Sequence, residues 1–592
     1  MHTMTPFTST LGRPLETRAS RSDGGFALVV TLLVALVAAT LIAGALSVGA
    51  SNTLSNRYYE NHSQLVTSSR TGIEYGRSTL NSDRGLFPES GYVVLEDGVS
   101  VSDGEGGTLP GVQRWTYAGP TGNTTGQYGV FGSIVSVTRD AGQGVAIRRS
   151  QVRQESFARY AYFTDIEPTN IAFGGGDQIF GPVHSNSDIK IYNSGATFHD
   201  EVRTAGGVQG EPYATFVEGY EAGVSPIPLP PTAELDKLES LATSGGMAFD
   251  GGGGSWGQSG LRLHFVVIDL DGDGSFTGED EGWVRVYESS DPDWVTANRP
   301  GGNFGSSDNC GDYANHGGDF VAAADHPEDG HQWWQGITHS SRRCYLGGSD
   351  ELNPGGDFVA NDGRGEWLQY TTTPDPRIAG RDDANYLFPL SRRVNPDFKG
   401  VIHIDGKAVI SGVLRGRVTI AATDQIIIGD DITYAGGPAQ PDCPDILGLF
   451  SGNDVVVADN TVNAPSRAWS STAYRTYDDT KDEYINAIVL ALNQFTVENY
   501  NSGSETAEPC ETTIWGRGCL FLTGGIIQRT RGAVGLSSGD GYLKRYSYDQ
   551  CGASDPPPYF PTTGYFFRDQ LYPVDPVGFD VGSYFDFLSS GG

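Results

Sequence analysis

The chain has few positive charges for its size. Its 592 residues include 39 Lys and Arg against 72 Asp and Glu, a net charge of −33, and only six of the basic residues are Lys. Such a surface repels nucleic acid unless Arg residues gather on one face or a cation bridges the two molecules. High-salt adaptation or simple solubility explains the acidic balance without any specific cationic partner.

The chain also lacks the motifs of several enzyme classes. It has no P-loop, no HExxH zinc motif and no nucleophile elbow, so we do not expect an enzyme. Four polar residues could serve as catalytic groups, but they are explained more simply as charges on turns. They are Lys407, Arg415, Arg417 and Asp424. Four clustered histidines meet no familiar zinc spacing: His316, His326, His331 and His339.

Cysteine is scarce. The six cysteines are Cys310, Cys344, Cys443, Cys510, Cys519 and Cys551. An even number without a CxxC pair, in a chain that reads as exported, favours disulfides over a zinc site. Many pairings are possible, and sequence alone does not choose among them. Proximity favours Cys510 with Cys519 and Cys310 with Cys344, which leaves Cys443 for Cys551.

No charged residue occurs between Gly24 and Asn56. The apolar core of this stretch, Phe26 to Ala50, has 25 residues, whereas a helix needs only about 20 to cross a bilayer. A removable secretory signal has a shorter apolar region, of roughly 7 to 15 residues. Because Val48-Gly49-Ala50 resembles a signal cleavage site, a cleaved signal remains the alternative.

A basic arm precedes the apolar stretch. It carries Arg13, Arg18 and Arg21, and segments rich in Lys and Arg stay on the cytoplasmic side of a membrane. We therefore expect residues 57 to 592 to face the periplasm or the exterior.

The N-terminus resembles the class III signal of type IV pilins in its short polar arm, its Gly25-Phe26 junction and its apolar helix. The resemblance implies that prepilin peptidase cuts between Gly25 and Phe26. Val30 occupies the fifth mature position, where most major pilins have Glu, and this departure resembles PilX-type minor pilins and the K-type pseudopilin of type II secretion. The run Ser68 to Gly76 is similar to PilX-type N-termini, and we expect one long helix over 26–81.

Short strands follow the helix. Residues 82–157 are expected to form a small pilin-like sheet, with strands at Tyr92–Leu95, Gln113–Tyr117, Gly129–Arg139 and Val145–Gln154. Over 158–241 and again over 396–592, strands of a few apolar residues alternate with Gly or Asn turns. This spacing favours a β-solenoid, with a β-sandwich as the alternative.

A second resemblance rests on three segments: Ala158–Asp165, Gly181–Asn186 and Asp445–Leu449. They are similar to the large competence-associated minor pilins typified by ComZ. That resemblance implies a pilin helix and sheet carrying a β-solenoid head, a place at the pilus tip and DNA binding. It covers most of the chain except about 242–395.

Residues 242–395 are expected to form an insertion opened by a flexible glycine run, Gly251 to Gly254. Within it, the carboxylates from Asp269 to Asp280 and a central glycine follow the ligand spacing of a calcium loop. The predicted Ca²⁺ ligands are Asp269, Asp271, Asp273, the Ser275 carbonyl, Thr277 through water, and Asp280. Asp280 stands where Glu is usual, and Glu281 follows it. We expect calcium to order the insertion.

Together these features predict an α+β, mainly β chain: a leader (1–25), a pilin helix (26–81), an antiparallel sheet (82–157), and a solenoid head (158–241 and 396–592, with an aromatic-rich C-terminus) interrupted by the insertion (242–395). The expected function is a minor pilin near the tip of a type IV pilus, presenting the head for adhesion or DNA uptake. It would cross the inner membrane once before assembly and then become extracellular. The alternatives are a type II secretion pseudopilin, a signal-anchored β-helix adhesin or a carbohydrate-active enzyme.

The expected partners follow from the resemblance to pilins. They are other major and minor pilins, prepilin peptidase and the inner-membrane assembly platform. The head would in addition bind DNA or a surface glycan.

Overall fold

The computed structural model describes residues 24–122, 125–252, 254–290, 292–295, 360–361, 365–438, 440–458, 482–498, 500–501, 508–510, 513–536 and 538–591. Several residues named above lie outside this part of the chain: Arg13, Arg18, Arg21, Cys310, Cys344, His316, His326, His331 and His339.

Among the described residues, the first helix is α1 (Gly24–Ser82) and the last is α5 (Val581–Ser589). The described α-helices between them are α2 (Ala233–Ser244), α3 (Pro292–Val295) and α4 (Cys551–Ser554). The strands of the small sheet are β1 (Val93–Ser102), β2 (Thr108–Pro120), β3 (Phe131–Arg139), β4 (Val145–Ser156) and, at the C-terminus, β31 (Thr562–Val574).

The described strands between β4 and β31 are mostly shorter than those of the small sheet. They are β5 (Tyr162–Ile166), β6 (Asp177–Ile179), β7 (Val183–Ser185), β8 (Ile189–Lys190), β9 (Ala196–Phe198), β10 (Val202–Thr204), β11 (Val208–Gln209), β12 (Ala214–Phe216), β13 (Tyr220–Ala222), β14 (Ala248–Gly251), β15 (Leu261–Val267), β16 (Gly282–Ser289), β17 (Gly365–Trp367), β18 (Phe388–Pro389), β19 (Val401–Gly406), β20 (Ala408–Leu414), β21 (Arg417–Ala422), β22 (Ile426–Tyr434), β23 (Ile446–Ser451), β24 (Val455–Val457), β25 (Glu483–Ala491), β26 (Phe495–Val497), β27 (Glu508–Cys510), β28 (Thr513–Trp515), β29 (Cys519–Thr530) and β30 (Leu543–Tyr548).

Helix α1 is one continuous helix of 59 residues and has two different halves. Every side chain from 25 to 64 is exposed. Burial begins at Leu65, and the later residues Ile73 and Leu80 are almost completely buried. Residues 26–50 of the first half are apolar on all sides and residues 51–64 are mostly polar. The second half has an apolar stripe on one side only, as expected of a helix that packs on a sheet.

The small sheet is antiparallel, in the order β1-β2-β3-β4-β31. Alternate residues of β3 face opposite sides: Ile134 packs with Ile73 of α1, whereas Val135 packs with Phe585 of α5. The sheet therefore lies between the second half of α1 and the C-terminal helix. Because β31 pairs with β4, for example Leu571 with Ser150, all of the chain from 157 to 561 is inserted between two neighbouring strands.

The inserted chain forms a second, larger sheet in which most strands pair in parallel. One ladder runs in the order β14-β19-β21-β23-β25-β29-β5-β7-β10-β13. Strands β5 to β13 extend it in one direction, and α2 precedes β14 at the opposite end. The two stretches of chain meet where Ile526 of β29 pairs with Tyr162 of β5.

Aligned apolar side chains hold this ladder together. Partners in register form a buried column: Ile402, Ile420, Leu449, Val489, Ile526, Tyr162, Val183 and Val202. A second ladder, β15-β20-β22-β24-β26, runs beside part of the first. The prediction of a long N-terminal helix, a small antiparallel sheet and a mainly β chain is confirmed.

Two segments differ from the expected layout. Strands β14 and β15, placed in the insertion by the sequence, pair in parallel with β19 and β20 and lengthen the large sheet. Gly251 belongs to β14, and a Cβ there would lie 2.3 Å from the Lys407 carbonyl oxygen, so close packing rather than flexibility accounts for this glycine. The C-terminal β31 and α5 join the small sheet, although their aromatic residues suggested a continuation of the head.

Candidate functional sites: the apolar helix and the aspartate loop

The junction between α1 and the small sheet is built from glycines and a buried ion pair. A Cβ on Gly72 would lie 2.2 Å from Ser136 Oγ, so only glycine allows the helix this close to β3. Below the helix, Arg114 Nε donates a hydrogen bond to Glu96 Oε2 at 2.8 Å, and Arg114 Nη1 donates to the Ser68 carbonyl oxygen at 3.3 Å. The pair therefore joins β1, β2 and α1.

The exposed half of α1 contains the predicted processing residues. Gly25 and Phe26 lie in the first turn described, and Phe26 is 74% exposed. The helix is long and apolar enough to cross a membrane, either as a single span or as a signal anchor. A bilayer core is about 30 Å thick and a helix rises about 1.5 Å per residue, so the 40 exposed residues reach well beyond one crossing.

The aspartate loop joins β15 to β16. Carboxylate oxygens of Asp269, Asp271 and Asp273 lie within 4.8 Å of one another. Backbone N–H groups of Gly274 and Gly272 donate to the two Asp269 oxygens at 2.9 and 2.7 Å and lower the pKa of that carboxyl. Three carboxylates so close together provide the hard oxygen ligands that Ca²⁺ prefers.

The other predicted ligands take different positions. Ser275 donates to Asp273 Oδ1 from its N–H at 2.8 Å and from its hydroxyl at 2.6 Å. Its Oγ lies 3.4 Å from Thr277 Oγ1, so both residues stay beside the cluster. Asp280 turns to Arg377 and Arg393; although burial acts to raise its pKa, these cations lower it.

Glu281, one residue beyond the predicted twelfth ligand, closes the loop. Its buried carboxylate accepts hydrogen bonds from the N–H groups of Leu270 at 3.0 Å and Gly278 at 2.6 Å. In the sequence, only its position directly after Asp280 indicates such a role. The three converging aspartates fit a divalent cation, and Asp280 contributes to the loop through its ion pairs instead.

Arg415 ties this loop to the large sheet. Its Nε donates to the Gly278 carbonyl oxygen at 2.9 Å, its Nη2 donates to that of Thr277, and its Nη1 pairs with Asp445 at 3.1 Å. Burial raises the pKa of Asp445, and the Arg415 charge opposes that shift. Arg415, which lies between β20 and β21, therefore links the loop to Asp445, the residue just before β23.

The remaining polar candidates of the head also take part in structural contacts. Lys407 Nζ donates to the Ser255 carbonyl oxygen at 3.1 Å and lies 3.7 Å from Asp424. Arg417 Nη2 pairs with Asp555 at 2.6 Å. All four residues named from the sequence, Lys407, Arg415, Arg417 and Asp424, therefore take part in contacts within the head.

Two disulfides lie in the described part of the chain, Cys443–Cys551 and Cys510–Cys519. Both are among the three pairs considered from the sequence. The first joins the segment before β23 to α4, and the second closes the short β27–β28 hairpin onto β29.

Comparisons with known proteins give no family. No family model, no curated protein and no solved structure matches the chain. Function is therefore inferred from the geometry of the helix, the sheets and the loop.

Proposed function

We propose that this chain is a minor pilin of a type IV filament, with the large sheet forming an outward-facing β-solenoid head. The observation that carries the proposal is the division of α1. Its exposed first half begins with the apolar segment 26–50, and its second half packs on an antiparallel sheet. An apolar surface of this length needs a membrane before assembly and neighbouring helices afterwards.

The place of the head supports this role. It is inserted between β4 and β31, and Ser156 at its start pairs with Thr562 at its end. A head attached through two adjacent strands is held firmly at one edge of the small sheet. The exposed half of α1 then remains free to pack among other subunits, which would be major and minor pilins.

Calcium is part of the proposal. Asp269, Asp271 and Asp273 would hold the ion, which would neutralise a concentrated negative charge at the tip of the β15–β16 hairpin. Because Arg415 connects the loop to Asp445, the ion would stabilise one side of the head. Sites of this kind on extracellular modules bind at about 10⁻⁴ to 10⁻³ M.

Adhesion is favoured over DNA uptake as the use of the head. A net charge of −33 opposes binding of a polyanion, whereas it has little effect on a neutral ligand. DNA binding that weakens steeply with salt would reverse this preference.

The proposal is tested by replacing Gly25 with Leu, using Gly24→Leu as the matched control. We expect Gly25→Leu alone to keep the chain in the membrane fraction and out of filaments, because the peptidase would no longer cut before Phe26. A deletion strain is scored separately for filaments, surface attachment, transformation and secretion. Loss of secretion alone would indicate a pseudopilin, and normal attachment by an uncut, unassembled chain would indicate a signal-anchored adhesin.

A further inference from the structure

We propose that a small aromatic cleft on the head binds a neutral saccharide. The cleft lies where the segment before β6 meets the β27–β28 hairpin and the segment before β30. This inference rests on the proposed outward display of the head and names the class of ligand that the head would bind.

The cleft has a volume of about 250 Å³. This is close to the lower end of the roughly 300 to 1,000 Å³ range of small-molecule sites, so the cleft suits a short unit rather than a polymer strand. Four aromatic side chains line it: Tyr192, Tyr500, Trp515 and Tyr542. They come from four separate parts of the chain, so only the folded head brings them together.

Core packing does not account for all of these rings. Tyr542 is buried, but Tyr192 is 51% exposed, and Leu536 at the same cleft is 36% exposed. Apolar side chains left exposed around a concave surface are typical of binding sites.

The Trp515 ring is positioned by several constraints. Its hairpin is closed by Cys510–Cys519, and the next two residues, Gly516 and Arg517, donate backbone hydrogen bonds to the carbonyl oxygens of Gly539 and Gly541 at 2.8 and 3.0 Å. A Cβ on Gly175 would lie 3.3 Å from Trp515 Cη2, so the ring sits directly against that glycine. A ring held in place before binding loses little conformational entropy when a ligand stacks on it.

The polar part of the cleft is neutral overall. Lys544 Nζ pairs with Asp177 Oδ2 at 2.8 Å, and both side chains are largely buried. Asp177 Oδ2 also accepts a hydrogen bond from the Gly174 N–H at 3.1 Å. Lys544 is the sole cation among the described residues that line the cleft, and it is already paired.

This charge balance decides between the two ligand classes that stack on aromatic rings. A nucleic acid needs cations for its phosphates, and the cleft offers none that is unpaired in the described chain. A neutral sugar needs apolar ring faces for its C–H groups and polar atoms for its hydroxyls. The aromatic residues and the Asp177–Lys544 pair provide both.

The test uses the full chain in a detergent without sugar groups, since a maltoside or glucoside would compete for the cleft. The probes are immobilised neutral oligosaccharides, namely cello-, chito-, malto- and manno-oligosaccharides, together with single-stranded and duplex DNA. We compare the chain with Tyr192→Ala, with Tyr192→Phe, which keeps the ring, and with Tyr213→Ala. Tyr213 is 54% exposed and outside the cleft, so it is a matched control.

We expect saturable binding to at least one neutral oligosaccharide, weakened about tenfold or more by Tyr192→Ala and unchanged by the other two variants. Binding that is equal in all four proteins, or absent in a chain that still matures at Phe26, would show that the cleft is not a saccharide site. The pilin proposal would remain intact. DNA binding that depends on Tyr192 while no oligosaccharide binds would overturn the saccharide assignment. Failure to mature at Phe26 would contradict the pilin proposal only. The binding comparison among the four proteins would still test whether the cleft binds a saccharide.

Discussion

Arg114 and Glu96 form a two-point ion pair beneath α1, with Nε to Oε2 at 2.8 Å and Nη2 to Oε1 at 2.5 Å. Thr116 Oγ1 donates a third hydrogen bond to Glu96 at 2.5 Å. Because Arg114 also reaches the Ser68 carbonyl oxygen, this pair couples the position of the helix to the sheet.

Replacing Glu96 with Gln should loosen the second half of α1. The change would leave the Arg114 charge buried without its counterion, which costs about 3 to 5 kcal/mol. Hydrogen exchange of residues 65–82 in the detergent-solubilised chain measures the loss. The control is Arg568→Gln, which removes the exposed ion pair with Glu74 and should cost no more than about 1 kcal/mol. Equal protection in both variants would show that the buried pair does not hold the helix.

Replacing Gly72 with Ala should destabilise the same junction. Helix propensity alone favours Ala over Gly by about 1 kcal/mol, but the new Cβ would meet Ser136 Oγ and Arg114 Cδ. We expect a net loss of about 1 to 3 kcal/mol in the hydrogen-exchange measurement. Gly49→Ala is the control, since nothing lies within 4 Å of a Cβ there. A gain in stability from Gly72→Ala would contradict the close approach.

Calcium should bind through the three converging aspartates and not through Asp280. In titration calorimetry, Asp271→Asn should weaken binding about tenfold or more, because it removes a ligand. Asp280→Asn should have a much smaller effect, because its carboxylate is occupied by Arg377. If Asp280→Asn abolished binding, the loop would rearrange around the ion to use its twelfth position.

The stability of the head should decrease as pH falls below about 6.5. Burial lowers the pKa of His184 and His403 from the ordinary value of 6.5, so the unfolded chain takes up these protons at a pH where the folded chain does not. Their contribution to the free energy of unfolding is fully present above the pKa of the unfolded chain. It is lost as pH falls toward the pKa values of the folded chain. Thermal unfolding followed by circular dichroism from about pH 8 to about pH 5.5 measures it. His184→Gln should reduce the slope, because it removes one of the two groups whose pKa burial lowers.

Local pattern was enough to predict the elements next to α1. The apolar run from Phe26 and the following Ser68–Gly76 run placed the helix at 26–81, within two residues of Gly24–Ser82. The strands expected at Gly129–Arg139 and Val145–Gln154 correspond to β3 and β4. Such elements are set by side chains near in sequence, which a single chain displays directly.

Long-range pairing was not predictable in the same way. The partner of β31 is β4, about 400 residues earlier, and no local pattern selects one antiparallel partner over another. The spacing of Asp269, Asp271 and Asp273 in the sequence agrees with their proximity in the fold. The pairing of Asp280 with Arg377 and Arg393 was not foreseeable, because the positions of these cations depend on the tertiary fold. The cleft at Trp515 was not predictable from the sequence, because its rings converge from four separate segments.

The N-terminal residue of the protein decides whether the apolar helix belongs to a pilin. The residue is determined in cells with and without active prepilin peptidase. We expect Phe26, and only when the peptidase is active. A chain that starts at Ser51 would instead be a secreted protein with a cleaved signal, and an intact Met1 in both strains would make it a membrane-anchored one; in neither case would the chain be a pilin.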